Sequence, residues 1–329
     1  MDHQQYMPPF SVTDTLIDLV SQISEFIGSI TAWRDMEANP GLRWDNRIKT
    51  IHSSLAIENN SLTLDQVTDI INGKRIIGAP QEIREVKNAS EAYERLLQYD
   101  PYSEKDLLSA HHILMHELVR EAGLFRSGRV GIYKGDQLIH MAPPAHIVPE
   151  LIGNLLTWTK DAKVHPLIKS CVFHYEFDFI HPFADGNGRM GRMWHTLLLY
   201  KWKPIFAWLP IETLIRERRD DYYAVLTQAD QNADATPFVE FVLIVIRDIL
   251  KEIAEARPSD MQTSVYVKLL LERLDGDTLS AMQIMERLGL KSRASFRKLY
   301  LVPALEQHLI EMEYPEKPNS SKQRYRKIE

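Results

Sequence analysis

Apolar residues recur at three- and four-residue steps along most of this chain, and that spacing confines it to a helical architecture. Leu16, Leu19, Val20, Ile23, Phe26, Ile27 and Ile30 form the first such stripe, after Pro8-Pro9. A second helix is expected over 44–57, breaking at Asn59-Asn60, and Thr63 then opens a third with Gln66 placed to complete a capping box. Further helices are expected near 83–98, 104–120, 147–159, 166–177, 189–200, 217–228 and 237–256. Residues 129–145 break the pattern. Gly135-Asp136 separates two short β-like runs, VGIYK and QLIHM, and Pro143-Pro144 closes the second, which reads as a hairpin with exposed edges suited to a peptide partner. Residues 257–260 read as a linker. Three short helical stretches follow (265–274, 280–288, and 292–301 running into 303–312), then a polar tail ending QRYRKIE, the outline of a winged helix.

The chemistry concentrates in HPFADGNGRMGR, residues 181–192. The apolar run Phe177 to Ile180 delivers the chain to His181, and Pro182 discourages helix there. Gly186 and Gly188 permit a backbone nest of N–H groups, and the helix that follows adds its positive end, the requirements of a phosphate site. Asn187 can donate an amide N–H to phosphate. Arg189 and Arg192, three apart on one helical face, can neutralise distal phosphates. Asp185 offers hard oxygen to Mg²⁺ or Mn²⁺. His181 titrates near neutrality and can take a proton from an attacking hydroxyl. Gly186, Gly188 and Gly191 also spell GxGxxG, the fingerprint of a dinucleotide-binding turn. That rival needs a βαβ unit, whereas these flanks are helical, and it leaves His181, Asp185 and both arginines without roles.

This stretch resembles the signature of the Fic family, H-P-F-x-D/E-G-N-G-R-x-x-R, and meets every fixed position. The resemblance implies an all-α fold, a Fic-type helical bundle with a β-hairpin flap, here followed by the winged-helix module. It implies transfer of AMP from ATP to a Ser, Thr or Tyr hydroxyl of a protein target, the chain itself included. His181 would be the general base and Asp185 the metal ligand. Gly186, Asn187, Gly188, Arg189, Met190, Gly191 and Arg192 would hold the nucleotide. Ser54, Glu58 and Asn59 lie in a segment similar to the family's inhibitory motif, S/T-x-x-x-E-G/N, in which the Glu pairs with the second arginine, here Arg192. Val130, Gly131, Ile132, Leu138, Ile139, His140 and Met141 fall where the family places its target-clamping flap. Tyr222 and Tyr223 match a tyrosine pair near the adenine, and Asp230 stands where some members carry Asn. The expected divisions are an N-terminal helical region, 1–100, with an inhibitory helix at about 44–58; a catalytic core, 101–256; and a winged-helix-like domain, 261–329. Gly188 argues against a family branch that has Lys there and transfers phosphate. Removal of AMP, with Glu58 positioning a water, stays open as an activity of the same site.

Composition narrows the remaining classes. The net charge of −6 gives no global reason to expect nucleic acid. The C-terminal stretch is nonetheless locally basic, with nine Lys or Arg against five Glu from Lys291 onward. An ATP-sensing, DNA-binding transcriptional regulator is therefore the second reading, with 292–301 as its recognition helix. Protein contact through that domain is the alternative, and a homodimer stays open. Cys171, the only cysteine, suits a reducing cytoplasm and reads as a buried structural thiol. His112 and His116, four apart, lack a third metal ligand and read as ordinary helix residues. No signal peptide or membrane span is expected, so the protein is expected in the cytoplasm.

Overall fold

The computed structural model describes residues 6–31, 40–134, 137–255, 265–274, 276–288, 290, 293–318, 320 and 322–328. Two compact units divide them. The first takes 6–31 and 46–251; the second takes 40–45 and the described residues beyond 251.

The first unit is helical, with one β-ribbon. Its centre is a pair of packed helices, α7 (Pro166–Ile180) and α8 (Asn187–Trp202), whose residues are buried on almost every side. The unit also holds α1 (Asp14–Thr31), α2 (Pro40–Ile57) from residue 46 onward, α3 (Leu64–Ile71), α4 (Pro80–Arg95), α5 (Glu104–Met115), α6 (Val148–Asp161), α9 (Ile211–Glu217), α10 (Arg219–Asn232) and α11 (Thr236–Glu255) as far as residue 251. The stripe on α1 packs inward as its periodicity predicts, with Leu16, Leu19, Ile23, Ile27 and Ile30 all buried. Each such side chain contributes about 1.5–3 kcal/mol. The capping box at Thr63 forms as expected: its hydroxyl accepts from the Gln66 amide, and the Gln66 side chain accepts from the Thr63 N–H. Helix α5 stops at Met115 rather than near 120. Asn88 donates its side-chain amide to the carbonyls of His116 (2.7 Å) and Leu114 (3.3 Å), satisfying the helix end, and Glu117 then reverses the chain at φ 60°.

Strands β1 (Gly131–Lys134) and β2 (Gln137–Met141) pair antiparallel, Gly131 with Met141 and Ile132 with His140. The register slips after Ile132, so Leu138 faces Tyr133 and Ile139 is the extra residue of a bulge. The expected turn at Gly135-Asp136 lies outside the described residues, as do the linker at 257–260 and the start of the 292–301 stretch.

The second unit has its own core of Tyr266, Leu270, Leu274, Ile284, Phe296, Tyr300, Ile310 and Tyr325, against which Trp44 packs. It contains α12 (Val265–Leu274), α13 (Ala281–Arg287), and a helical segment from Arg293 to Glu306 that loosens to a π-turn over Arg297–Leu301. Sequence periodicity extends the last helix to 312, but it ends at Glu306. His308 takes φ 53°, and Ile310–Met312 becomes strand β4. It pairs with β5 (Arg324–Lys327), which also pairs with β3 (Leu279–Ser280), giving a three-stranded sheet of order β3-β5-β4. Among the described residues no helix is long and apolar enough to cross a membrane.

Candidate active site

Helix α7 ends at Ile180, and His181 caps it in the left-handed region (φ 50°, ψ 61°), its N–H bonded to Phe177 O at 3.0 Å. A non-glycine residue holds that conformation at a cost of about 1–3 kcal/mol unless its surroundings fix it, and such strain gathers at functional sites. The His181 ring is oriented from below: Nδ1 lies 3.3 Å from Asp178 O. A carbonyl only accepts, so Nδ1 carries the proton and the lone pair falls on Nε2.

The loop then turns into α8 at Gly186 (φ 84°), where a Cβ would meet Met115 Sδ at 2.6 Å. Gly186 supplies no capping side chain. The first N–H groups of a helix have no acceptors within it, and together with the helix dipole they form an anion seat. The Asp185 carboxylate accepts the Gly186 N–H and, at 3.2 Å, Arg189 NH2, while 57% of its side chain stays exposed. Sequence reading has Asn187 donating to phosphate. Its side chain instead clamps Phe183, accepting from the N–H at 2.8 Å and donating to the carbonyl at 2.9 Å.

His111 supports the loop from α5. Its Nδ1 accepts from Gly123 N (2.9 Å), which leaves the proton on Nε2 to donate to Asp185 O (3.0 Å). The ring stacks on Phe183 at 3.6 Å. Burial pushes its pKa down to about 4, so it is neutral and keeps this tautomer.

The two arginines are buried and engaged. Arg189 reaches Glu85 (3.5 Å) as well as Asp185, and its Nε is buried without a hydrogen-bond partner. Arg192 donates through Nε to Ser54 Oγ (3.2 Å) and through NH2 to Ser54 O (3.0 Å) and Glu58 Oε1 (2.8 Å). Burial works against both charges of that pair, yet each partner prevails. Glu58 titrates below, and Arg192 above, its ordinary value. Gly188 makes room for this contact, since a Cβ there would fall within 2.4 Å of Glu58 Oε1. Asn59, at φ 69°, ends α2 and accepts from Arg219 NH2 at 2.8 Å.

Three sequence-predicted contacts change place. Met190 is fully buried, so its side chain packs in the core rather than against a nucleotide. Gly191 is the close approach of α8 to α7, its Cβ position 3.1 Å from both His174 and Asp178. Tyr222 is 1% exposed, and its hydroxyl donates to Asp178 Oδ2 at 3.1 Å. Tyr223 is the exposed member of the pair, with the Arg219 guanidinium 5.7 Å above its ring. Asp230 accepts from Tyr175 OH at 3.0 Å. Of the residues expected in a flap, Val130, Gly131 and Met141 are partly or fully exposed at the hairpin's base, and β2 runs beside α10. Cys171 is buried, and burial raises its thiol pKa, so it is no nucleophile. The sequence marked His111 only as an ordinary helix residue of the core and did not point to Glu85, Arg219 or Arg126. They belong to no spaced motif, and only their partners mark them.

This is a mostly helical fold with two small sheets, in which a left-handed histidine leads through a short loop into a helix that carries two buried arginines in its first turns. Residues 101–199 match the Fic/DOC family, and residues 266–327 match the C-terminal domain of Filamentation induced by cAMP protein Fic-like. The crystal structure of a Fic family protein from Desulfovibrio desulfuricans G20 is 52% identical, covers 98% of each chain and superposes with a TM-score of 0.76. The chain belongs to the Fic family. Among curated proteins it is 30% identical over 58% of its length to a protein adenylyltransferase Fic of Nematostella vectensis. It is 29% identical over 75% of its length to one of Drosophila melanogaster. It spans about half of those relatives, 45% and 50%.

Proposed function

We propose that this chain transfers AMP from ATP to a hydroxyl of a protein, and that it rests in a restrained state. The observation that carries the reading is the run from His181 to Arg192, which places an imidazole with its Nδ1 against a carbonyl just before the N-terminus of α8 and its two arginines. In the proposed mechanism the triphosphate lies against the main-chain N–H groups at the start of α8, with Gly186 and Gly188 allowing its approach. The acceptor hydroxyl attacks the α-phosphorus in line, its proton passes to His181 Nε2, and pyrophosphate leaves. Catalysis is positioning and charge stabilisation. Among the described residues no group of three or more His, Cys, Asp or Glu could hold a metal. A Mg²⁺ ion fits this chemistry all the same, because it characteristically takes one carboxylate plus phosphate oxygens and water. Asp185, exposed beside the seat, would hold it, and the ion would neutralise phosphate charge.

The restraint is the Glu58–Arg192 pair. While Arg192 serves Glu58 and Ser54 it cannot orient the γ-phosphate, so α2 would act as the inhibitory helix. On this reading residues 1–100 supply the inhibitor, 101–256 the core, and 261–329 a separate module. The test is incubation with Mg²⁺ and ATP labelled on the α-phosphate. Glu58→Gly should label protein, and Glu58→Gly/His181→Ala should bind ATP without labelling. Label that survives the loss of His181 would refute its role as base.

A further inference from the structure

Arg126 belongs to no motif, yet its guanidinium meets four main-chain carbonyls. Nε donates to His181 O (2.7 Å), NH1 to Gly128 O (2.9 Å), and NH2 to Pro143 O (2.5 Å) and Ile180 O (3.3 Å). Its own N–H donates to Pro182 O at 2.9 Å. The residue is 3% exposed. None of these partners is a carboxylate, and burial draws its pKa down from the usual arginine value. The charge is carried by carbonyl dipoles, two of them at the negative end of α7.

These carbonyls come from two places that the proposed reaction must bring together. Gly128 and Pro143 are the feet of the hairpin, and the Ala142 N–H to Val130 O bond (3.2 Å) closes the ribbon just above them. Ile180 and His181 are the end of α7 and the residue that carries the proposed base. We propose that Arg126 is a positioning residue that fixes the hairpin clamping the target segment at a set distance from the His181 imidazole. The inference rests on the transfer activity proposed above. A two-stranded ribbon is marginal by itself, so its direction follows its feet. His181 is held in the left-handed region partly by the bond from Arg126 to its carbonyl. Losing that bond frees the peptide to relax and swings the ring away from the acceptor hydroxyl. A misplacement of about 1 Å is enough to cost on the order of 100-fold in rate. Lysine cannot substitute, because its three donors radiate from one atom and cannot span acceptors on two segments as a planar fork does.

Arg126→Lys keeps the charge and most of the stem, and separates positioning from bulk stability. Placed in the Glu58→Gly background, it should slow self-labelling at saturating ATP by about 100-fold, while the dissociation constant for ATP stays within a few-fold of the parent. In parallel, hydrogen exchange of otherwise wild-type Arg126→Lys should accelerate at amides 128–145 and stay unchanged along α8. Labelling at the parent rate would overturn the proposal, as would ATP affinity falling in step with labelling, or unaltered exchange at 128–145. If the Glu58→Gly parent takes no label, the transfer reading fails. The exchange comparison then decides separately whether Arg126 ties the hairpin to His181.

Discussion

Removing the Glu58 carboxylate should activate the chain and destabilise it together, and ATP should reverse the second effect. The bond from Arg192 is 2.8 Å long, with its guanidinium side chain 1% exposed and the carboxylate side chain 33% exposed. Solvent on that open side screens the pair, so the figure for a hydrogen bond between charged groups applies, about 1.5–3 kcal/mol. If that energy holds Arg192 away from phosphate, releasing it raises the productive population about 10- to 140-fold at 1.4 kcal/mol per tenfold. Initial labelling rates of wild type and Glu58→Gly at equal ATP measure this directly, and Glu58→Gln, which keeps an acceptor but no charge, should fall between them. Without nucleotide, Glu58→Gly leaves a buried guanidinium with only Ser54. Its melting temperature should drop by about 2–4 °C for each kcal/mol lost. Saturating ATP should restore more of that loss in the variant than it adds to wild type, because phosphate replaces the carboxylate. Glu58 titrates below its ordinary value of 4.5, so the pair's contribution is complete above that pH and fades as pH falls through the folded-state pKa. The stability gap between wild type and Glu58→Gln should close accordingly in acid. Glu58→Gly labelling at the wild-type rate while binding ATP normally would refute the reasoning.

Two further substitutions test the supporting structure. Gly186→Ala forces φ 84° on a residue with a Cβ and sets that atom 2.6 Å from Met115 Sδ; it should cost about 1–3 kcal/mol and weaken ATP binding, by melting and calorimetry. Glu212 is buried, its Oε2 has no hydrogen-bond partner, and burial raises its pKa to about 7 despite the pull of Arg192. Its protonated form is the one the fold prefers, so stability is greatest below the ordinary value of 4.5 and declines as pH rises to about 7. Glu212→Gln should flatten that slope in thermal melts between pH 5 and 8, and an unchanged slope would show that Glu212 does not titrate there.

Local chemistry was readable from the residues in order. The Thr63 capping box, the buried stripe of α1 and the break between α7 and α8 all follow from neighbours within a few positions, although α7 runs three residues past the expected 177. Packing decided the rest. Periodicity marks Met190 and Tyr222 as parts of helices beside a motif but cannot say that one lies in the core and the other donates to Asp178. Asn88 ends α5, and β5 recruits 310–312 into a sheet, because a distant partner satisfies backbone groups that local propensity would have left in a helix. Glu58 could be matched to Arg192 through family resemblance. Their contact itself spans 134 positions, and its strength depends on the burial that surrounds it. Arg126 makes the same point without any motif. An arginine in LFRSG looks like surface charge until four carbonyls from the hairpin's feet and the end of α7 are folded around it, since a buried guanidinium is defined by the acceptors that tertiary structure delivers.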